Sequence, residues 1–233
     1  ARFAFISGAK KTIGYGPSRL FSLGIAPPAS STHEVEAMMK LVEPLGAGAT
    51  APGLVVAPSE SELKKARTAL KFGGPARKLV AMHISSRKPA NRWAMEKFRE
   101  LGDMIQTRLG MRLVILWAPG SSSNALHPGD DENAGKLSTF LKERPITYRT
   151  ETLGELIAAL SLANFVICPD GGAMHLAAGL GKPILSIWGQ TDIKRWSPWK
   201  TPHIILQNAS REANAVTATE AFVAFCKLSG ENV

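Results

Sequence analysis

The chain has 233 residues, which is enough for one large domain or two small ones. Hydrophobic residues make up 45% and charged residues 20%, a composition typical of a folded globular protein rather than a disordered one. No apolar run approaches the roughly 20 residues that span a bilayer, and no leader with a cleavage site is evident, so we expect a cytoplasmic protein.

The charge balance favours anionic partners. With 28 Lys and Arg against 19 Asp and Glu, the net charge is +9, which suits phosphorylated substrates, nucleic acid or an acidic membrane surface, or simply a solvated basic surface. The absence of basic runs interleaved with aromatics argues against nucleic acid. Cys168 and Cys226 are too few for a disulfide framework, and the scattered histidines predict no metal site.

The first third of the chain predicts a strand, a loop and two helices. We expect a strand at residues 2–6 and a glycine-rich basic loop at residues 7–16. The first helix begins at the capping-box pattern of Ser31 and Glu34, and the second begins at Ser59.

A turn signal at Gly73, Gly74 and Pro75 marks the best domain boundary, which we place near residue 74. The two domains are therefore predicted at 1–74 and 75–233. Because the first strand looks like an interior strand and the chain begins without Met, we expect the chain to be part of a longer protein.

Strands and helices alternate after the boundary. Strands are predicted at 78–83, 113–117, 165–168 and 184–188, and helices at 93–109, 131–143, 153–162, 172–179 and 217–228. Apolar strands alternating with amphipathic helices predict an α/β fold, with a Rossmann-like parallel sheet covered on both faces. In such sheets ligands bind beyond the carboxyl ends of the strands.

The strongest motif, residues 169–175, follows an apolar strand and opens a helix. Gly171 and Gly172 allow a tight turn, and the free amides at the start of the helix form an anion site that suits a diphosphate. His175 lies in the first helical turn and can donate to a phosphate. Asp170 either caps the helix or binds ligand hydroxyls. A plain strand–turn–helix is the alternative interpretation.

A second motif follows the strand at 78–83. Its hydroxyl donors and cations can stabilise a departing diphosphate without a metal ion, although a solvated basic loop explains them as well. The candidates are Ser85, Ser86, Arg87, Lys88 and Arg92. His83, at the end of the strand, is expected to be structural.

Two weaker motifs follow other strands. The acids Asp130, Asp131 and Glu132 can hold a ribose, but we favour a helix-capping role for them. Gln190 and Thr191 can supply amides and hydroxyls to a ligand.

Residues 163–178, together with 182–184, 188–191, 83–93 and 7–15, resemble glycosyltransferase family 9, the ADP-heptose:lipopolysaccharide heptosyltransferases. The family pattern at 170–178 is Asp-Thr/Gly-Gly-x-x-His-Leu-Ala-Ala, and the chain matches it well. The family usually has Lys where Asn91 stands. Its catalytic base is an Asp of the N-terminal domain, whereas the first Asp of this chain is Asp103, so the base is expected to be absent from these residues.

The resemblance implies a two-domain GT-B fold, with a partial acceptor-side domain at 1–74 and a nucleotide-sugar donor domain at 75–233. Carried over by position, the contacts to the donor phosphates are Ser85 and Ser86, with Lys88 and Arg92 as phosphate-stabilising cations. Those to the donor sugar and diphosphate are Asp170, Gly171, Gly172 and His175, and those to the adenosine are Glu151 and Thr152.

The sequence therefore predicts an inverting, metal-independent glycosyltransferase with an ADP-sugar donor, no cofactor and an acidic lipopolysaccharide core acceptor. A peripheral position on the inner membrane surface would suit the positive charge. The alternatives are a non-catalytic nucleotide-binding fragment and a nucleotide-sugar epimerase of the same architecture.

Overall fold

The structure, a computed structural model, describes residues 6–16, 21–48, 50–71, 77–124 and 128–232. The strands are β1 (Ile13–Tyr15), β2 (Leu23–Ile25), β3 (Leu79–His83), β4 (Arg112–Trp117), β5 (Ile146–Arg149), β6 (Phe165–Pro169), β7 (Ile184–Trp188) and β8 (His203–Gln207). The helices are α1 (Glu34–Val42), α2 (Glu60–Ala69), α3 (Met95–Leu109), α4 (Asp131–Phe140), α5 (Leu153–Leu162), α6 (Gly172–Gly179), α7 (Ile193–Trp196) and α8 (Ala218–Ser229).

The chain forms two compact units. The smaller one comprises Ala1–Gly53 and Asp192–Ser197, and the larger one comprises Leu54–Thr191 and Pro198–Val233. The boundary predicted near residue 74 lies outside the described residues. The structure places residues 54–71 with the larger unit, because the backbone N–H of Val56 bonds to Gly179 O at 2.9 Å and Ala66 is fully buried against that unit.

The smaller unit contains a two-stranded parallel sheet, in which Gly14 of β1 pairs with Gly24 of β2. The loop predicted at 7–16 therefore includes a strand, while the strand predicted at 2–6 falls mostly outside the described residues. The prediction of a capping box at Ser31 was wrong. Helix α1 begins after His33, whose Nδ1 accepts a hydrogen bond from Val35 N at 3.2 Å. The chain makes a turn before His33, which places Ser31 too far from the first helical turn to cap it.

The larger unit contains a six-stranded parallel sheet with strand order β5-β4-β3-β6-β7-β8. The strands β3, β6 and β7 are buried along their whole length. Helices α3, α4 and α8 cover one face of the sheet, and α2, α5 and α6 cover the other. This arrangement confirms the predicted Rossmann-like α/β fold.

The core of the larger unit is most densely aromatic beneath α3 and α8. Trp93 and Phe98 pack edge to face with centroids 4.8 Å apart, and Phe165 and Phe225 do the same at 5.5 Å. Burying such aromatic side chains contributes roughly 2–3 kcal/mol each. The first pair packs beside the loop that leaves β3 towards the candidate site, whereas Phe165 lies at the opposite, amino-terminal end of β6.

Two strands of the larger sheet were not predicted from the sequence. Both β5 and β8 lie at the edges of the sheet and are only partly buried. In β5 apolar and polar residues alternate, and in β8 only three apolar residues stand between His203 and Gln207, so neither strand carries the longer apolar run of β4 or β6.

Candidate functional site

The carboxyl ends of all six strands of the larger sheet lie at one edge, because the strands are parallel. In the middle of the sheet β3 and β6 are neighbours, and the chain runs from β3 outward to β4 and β5 but from β6 outward to β7 and β8. The loops after β3 and β6 therefore leave in opposite directions and open a crevice between them, where ligands bind in sheets of this type.

The turn after β6, residues 171–173, is called the amide turn below. Within the parts of the chain that the structure describes, the backbone N–H groups of Gly171, Gly172 and Ala173 donate no hydrogen bond. Gly172 is exposed, and a Cβ atom built on either glycine would meet no atom within 4 Å. The positive end of the α6 dipole adds to these open amides, so the turn can bind an anion.

The Asp170 side chain points away from the helix that follows it. Its Oδ2 accepts from Thr191 Oγ1 at 2.6 Å and from Asn91 Nδ2 at 2.7 Å. The N-cap of α6 is Gly171, which makes no side-chain cap bond, so Asp170 does not cap the helix. Among the described residues its Oδ1 accepts no hydrogen bond, which leaves that oxygen available to a hydroxyl donor.

Asn91 connects the loops after β3, β6 and β7, a role that the sequence analysis missed. It is 1% exposed. Its Nδ2 donates to Asp170 Oδ2 and also to Thr191 Oγ1 at 3.3 Å, while its Oδ1 accepts from Gly189 N at 3.0 Å. All the polar atoms of this amide are thus used within a buried network.

The loop after β7 is held from the other side by β8 and the turn beyond it. Gln207 Nε2 donates to Thr191 O at 2.9 Å, and Arg211 Nη2 donates to Gln190 O at 2.8 Å. Thr191 therefore faces Asp170, whereas Gln190 is exposed. Neither Gln207 nor Arg211 was predicted, because β8 itself was not predicted.

The two predicted serines are buried between loops. Ser85 Oγ accepts from Ala118 N at 2.9 Å, and Ser86 Oγ donates to Asp170 O at 3.4 Å. Both hydroxyls thus tie the loop after β3 to its neighbours, and their contact with a donor phosphate stays a prediction.

The predicted cations differ in their surroundings. Arg87 and Lys88 are exposed at the start of the loop. Arg92 is half-buried, and its Nε donates to Ser86 O at 3.0 Å while its buried Nη2 has no hydrogen-bond partner in the structure. His175 is half-buried in the first turn of α6.

His83 is buried at the end of β3. Burial lowers the pKa of its imidazole to about 4, and the nearby Asp130 carboxylate opposes this shift only in part. His83 is therefore neutral at pH 7, which fits the structural role expected for it.

The acidic residues at the start of α4, Asp130 to Glu132, were expected to cap the helix, but the structure shows no side-chain cap bond from the N-cap residue. Asp130 occupies the N-cap position but makes no side-chain cap bond. Asp131 instead accepts from Trp117 Nε1 at 2.7 Å and pairs with Arg149 at 3.1 Å. These contacts, led by the Trp117 bond, lower the pKa of the Asp131 carboxyl.

Glu151 and Thr152 follow β5, at the same sheet edge but two strands from β3. Thr152 forms a capping box with Glu155 at the start of α5, and the Glu151 carboxylate pairs with Arg149 at 2.5 Å. Both side chains therefore have structural partners, and their contact with adenosine stays a prediction.

Asp103, the first aspartate of the chain, is buried in α3. It pairs with Arg99 at 3.4 Å and accepts from Lys142 N at 2.8 Å, so it does not reach the crevice edge as a free carboxylate. No group of three or more side chains suited to a metal ion occurs among the described residues. Nor does any described helix combine the length and the apolar character that crossing a bilayer requires.

Comparison with known proteins places the chain in a family. The family model described as glycosyltransferase family 9 (heptosyltransferase) matches residues 1–223. Lipopolysaccharide heptosyltransferase 3 of Escherichia coli K12 is 30% identical over 180 residues, which is 76% of this chain and 50% of that protein. The chain spans about half the length of the curated heptosyltransferase 3 relatives that it matches.

Solved structures share the fold. The glycosyltransferase family 9 protein from Veillonella parvula DSM 2008 superposes with a TM-score of 0.78 at 21% identity, covering 93% of this chain and 67% of that one. E. coli heptosyltransferase WaaC with ADP gives a TM-score of 0.68 at 19% identity, covering 90% and 60%. The family match over residues 1–223 shows that the chain belongs to glycosyltransferase family 9, the heptosyltransferases.

Proposed function

We propose that the larger unit binds an ADP-sugar and that the protein transfers its heptose to a lipopolysaccharide core acceptor. Family membership supports the reaction class, and the names of the relatives support the sugar and the acceptor. The observation that carries the binding site is the open amide turn at the topological switch point of the sheet.

The diphosphate lies against the amide turn. The amides of Gly171, Gly172 and Ala173 donate to its oxygens, and His175 adds a donor from the same helical turn. Arg87 and Lys88 extend from the facing loop into solvent, where they can follow the phosphates, while Arg92 has an unused buried Nη2 donor. Asp170 faces the sugar, because a carboxylate beside the diphosphate would be repulsive.

The reaction is an inverting displacement that needs no metal ion. The acceptor hydroxyl attacks the anomeric carbon, the bond from that carbon to the phosphate oxygen breaks, and its electron pair leaves on ADP. The proton of the attacking hydroxyl passes to a carboxylate base. Preorganised amides and cations stabilise the charge that develops on the diphosphate, which typically contributes about 3 kcal/mol per well-placed donor. We assign no base in this chain, because Asp103 is held in α3.

The acceptor is an acidic sugar–lipid. The net charge of +9 gives the protein a field that attracts phosphorylated lipopolysaccharide core and an anionic membrane surface. This attraction predicts that acceptor binding weakens as ionic strength rises.

Calorimetric titration with ADP, UDP and GDP tests the donor site. We expect selective ADP binding that weakens at least about tenfold in His175→Ala, the equivalent of one lost charge-assisted hydrogen bond. His203→Ala is the matched control, because His203 is exposed at the start of β8 and its imidazole, among the described residues, bonds only to Thr201 O two positions away. Equal affinity for all three nucleotides, or no effect of the His175 change, would contradict the proposal.

Incubation with ADP-heptose and a lipopolysaccharide core acceptor tests the reaction. Release of ADP coupled to acceptor glycosylation supports transfer. Tight ADP-heptose binding without turnover would favour a nucleotide-binding module instead. Inversion at C2 of the sugar in the absence of acceptor would favour an epimerase.

A further inference from the structure

The Asp170 carboxylate is held without a cation. It is 9% exposed, and among the described residues it forms no ion pair. Its two hydrogen-bond donors, Asn91 Nδ2 at 2.7 Å and Thr191 Oγ1 at 2.6 Å, are both neutral and both bind the same oxygen, Oδ2. The orientation of the carboxylate therefore depends on these two donors.

Asn91 is the member of this pair that links the backbone segments. It donates to Asp170 through Nδ2, and through Oδ1 it accepts from Gly189 N at 3.0 Å. A Cβ atom on Gly189 would lie 2.1 Å from Ala90 O, so the loop after β7 is packed directly against the Ala90–Asn91 backbone. One buried amide thus fixes the loop after β7 relative to the carboxylate that precedes the amide turn.

We propose that Asn91 is a positioning residue for the donor sugar, which turns Asp170 so that its free Oδ1 accepts a hydrogen bond from a sugar hydroxyl. Asn91 itself does not touch the ligand in this arrangement. It acts through Asp170, by occupying Oδ2 and by keeping Thr191 at the same oxygen. This inference rests on the proposed function, since it deepens the role of the same site.

The arrangement predicts an effect on the sugar and not on the nucleotide. If Asn91 orients Asp170, its loss removes the contribution of the sugar contact and leaves the amide turn unchanged. A hydroxyl bonded to a carboxylate contributes about tenfold in affinity. The wild-type protein should therefore bind ADP-heptose about tenfold more tightly than ADP, and Asn91→Ala should lose that preference while its ADP affinity changes less than about threefold.

Two further variants separate positioning from general damage. Thr191→Val keeps the shape of the side chain and removes the second Oδ2 donor, together with the acceptor of the weaker 3.3 Å bond from Asn91 Nδ2, so it should reduce the preference in part. Asn133→Ala is the matched control, because Asn133 Nδ2 also donates to an aspartate, Asp130 Oδ1, at 2.7 Å, but on α4. This control should keep the full preference for ADP-heptose.

Asn91→Asp adds a readout that does not need ligand. It places a second carboxylate against Asp170, so the folded pair retains one proton at a pH where the unfolded chain has lost it. The folded state of the variant then binds more protons than its unfolded state, and its stability relative to wild type rises as the pH falls. Unfolding by urea at pH 8 and at pH 5 should show the deficit of the variant shrinking at pH 5.

The experiment is calorimetry with ADP and ADP-heptose on the wild type and these variants, with urea unfolding to confirm that each is folded. A lost preference in folded Asn91→Ala, with the preference kept in Asn133→Ala, supports the positioning role. A folded Asn91→Ala that keeps the wild-type preference overturns it. Wild-type protein that binds ADP without preferring ADP-heptose also overturns it, whereas failure to bind either nucleotide overturns the proposed function itself.

Discussion

Replacement of Gly189 by alanine should both destabilise the protein and disrupt the candidate site. A Cβ atom there would lie 2.1 Å from Ala90 O and 2.7 Å from Asn91 Oδ1, well inside contact distance. The nearer atom belongs to the backbone and cannot rotate away, so the two loops must separate by about 1 Å.

The cost has two parts. Overpacking of this kind costs about 1–3 kcal/mol, and separation of the loops also breaks the bond from Gly189 N to Asn91 Oδ1, which is worth about 1 kcal/mol. The expected loss is therefore about 2–4 kcal/mol in the free energy of unfolding, or a fall of roughly 5–15 °C in Tm.

Gly135→Ala is the matched control. Gly135 lies exposed within α4, and a Cβ atom there would meet nothing within 4 Å. Alanine should stabilise this helix by about 0.5–1 kcal/mol, so the same substitution is predicted to have opposite signs at the two sites. Scanning calorimetry measures both, and titration with ADP and ADP-heptose should show a reduced preference for ADP-heptose in the Gly189 variant only. A Gly189→Ala protein with wild-type Tm and the wild-type preference for ADP-heptose would refute the close approach of the two loops.

Three other predictions concern buried or capping side chains. Because burial lowers the pKa of His83 from 6.5 to about 4, the unfolded chain binds the proton more tightly than the folded protein does. The free energy of unfolding should therefore fall by about 3 kcal/mol as the pH drops from 6.5 to 4. Urea unfolding of His83→Gln should lack this fall, and a variant with the same pH dependence as the wild type would contradict the prediction. The thiol of Cys168, whose pKa burial raises to about 12, should react with a disulfide reagent only at the rate of unfolding, and rapid labelling of native protein at pH 8 would count against the buried placement. Thr152→Ala and Thr217→Ala each remove a capping box and should each lower the free energy of unfolding by about 1 kcal/mol. Only the Thr152 variant should also weaken ADP binding. Equal ADP affinity in the two variants would leave Thr152 with its capping role alone.

The central strands and the amide turn were predictable from the sequence because their signals are local. A continuous apolar run marks β6, and the pair Gly171 and Gly172 marks the turn that follows it. The helices α2, α5 and α8 were likewise marked by capping residues and apolar periodicity.

The network behind the amide turn was not predictable in the same way. Asn91 lies 79 residues from Asp170 and 98 from Gly189, and nothing in its local sequence indicates a partner. Gln207 acts from the end of β8 and Arg211 from the turn beyond it, and this edge strand was not recognised because only three apolar residues stand between its polar ends. At Ser31 the sequence analysis predicted a feature that the structure lacks. The local pattern there is that of a capping box, but the chain turns before His33 and the helix begins after that residue.

Amide NMR of 15N-labelled protein during titration with ADP shows whether the diphosphate binds at the amide turn. We expect the N–H resonances of Gly171, Gly172 and Ala173 to shift more than other resonances, because these amides have no acceptor in the described chain and gain the diphosphate oxygens. Adenosine, which lacks phosphates, should leave them nearly unchanged. If ADP shifts other resonances while these three stay in place, the amide turn is not the diphosphate site.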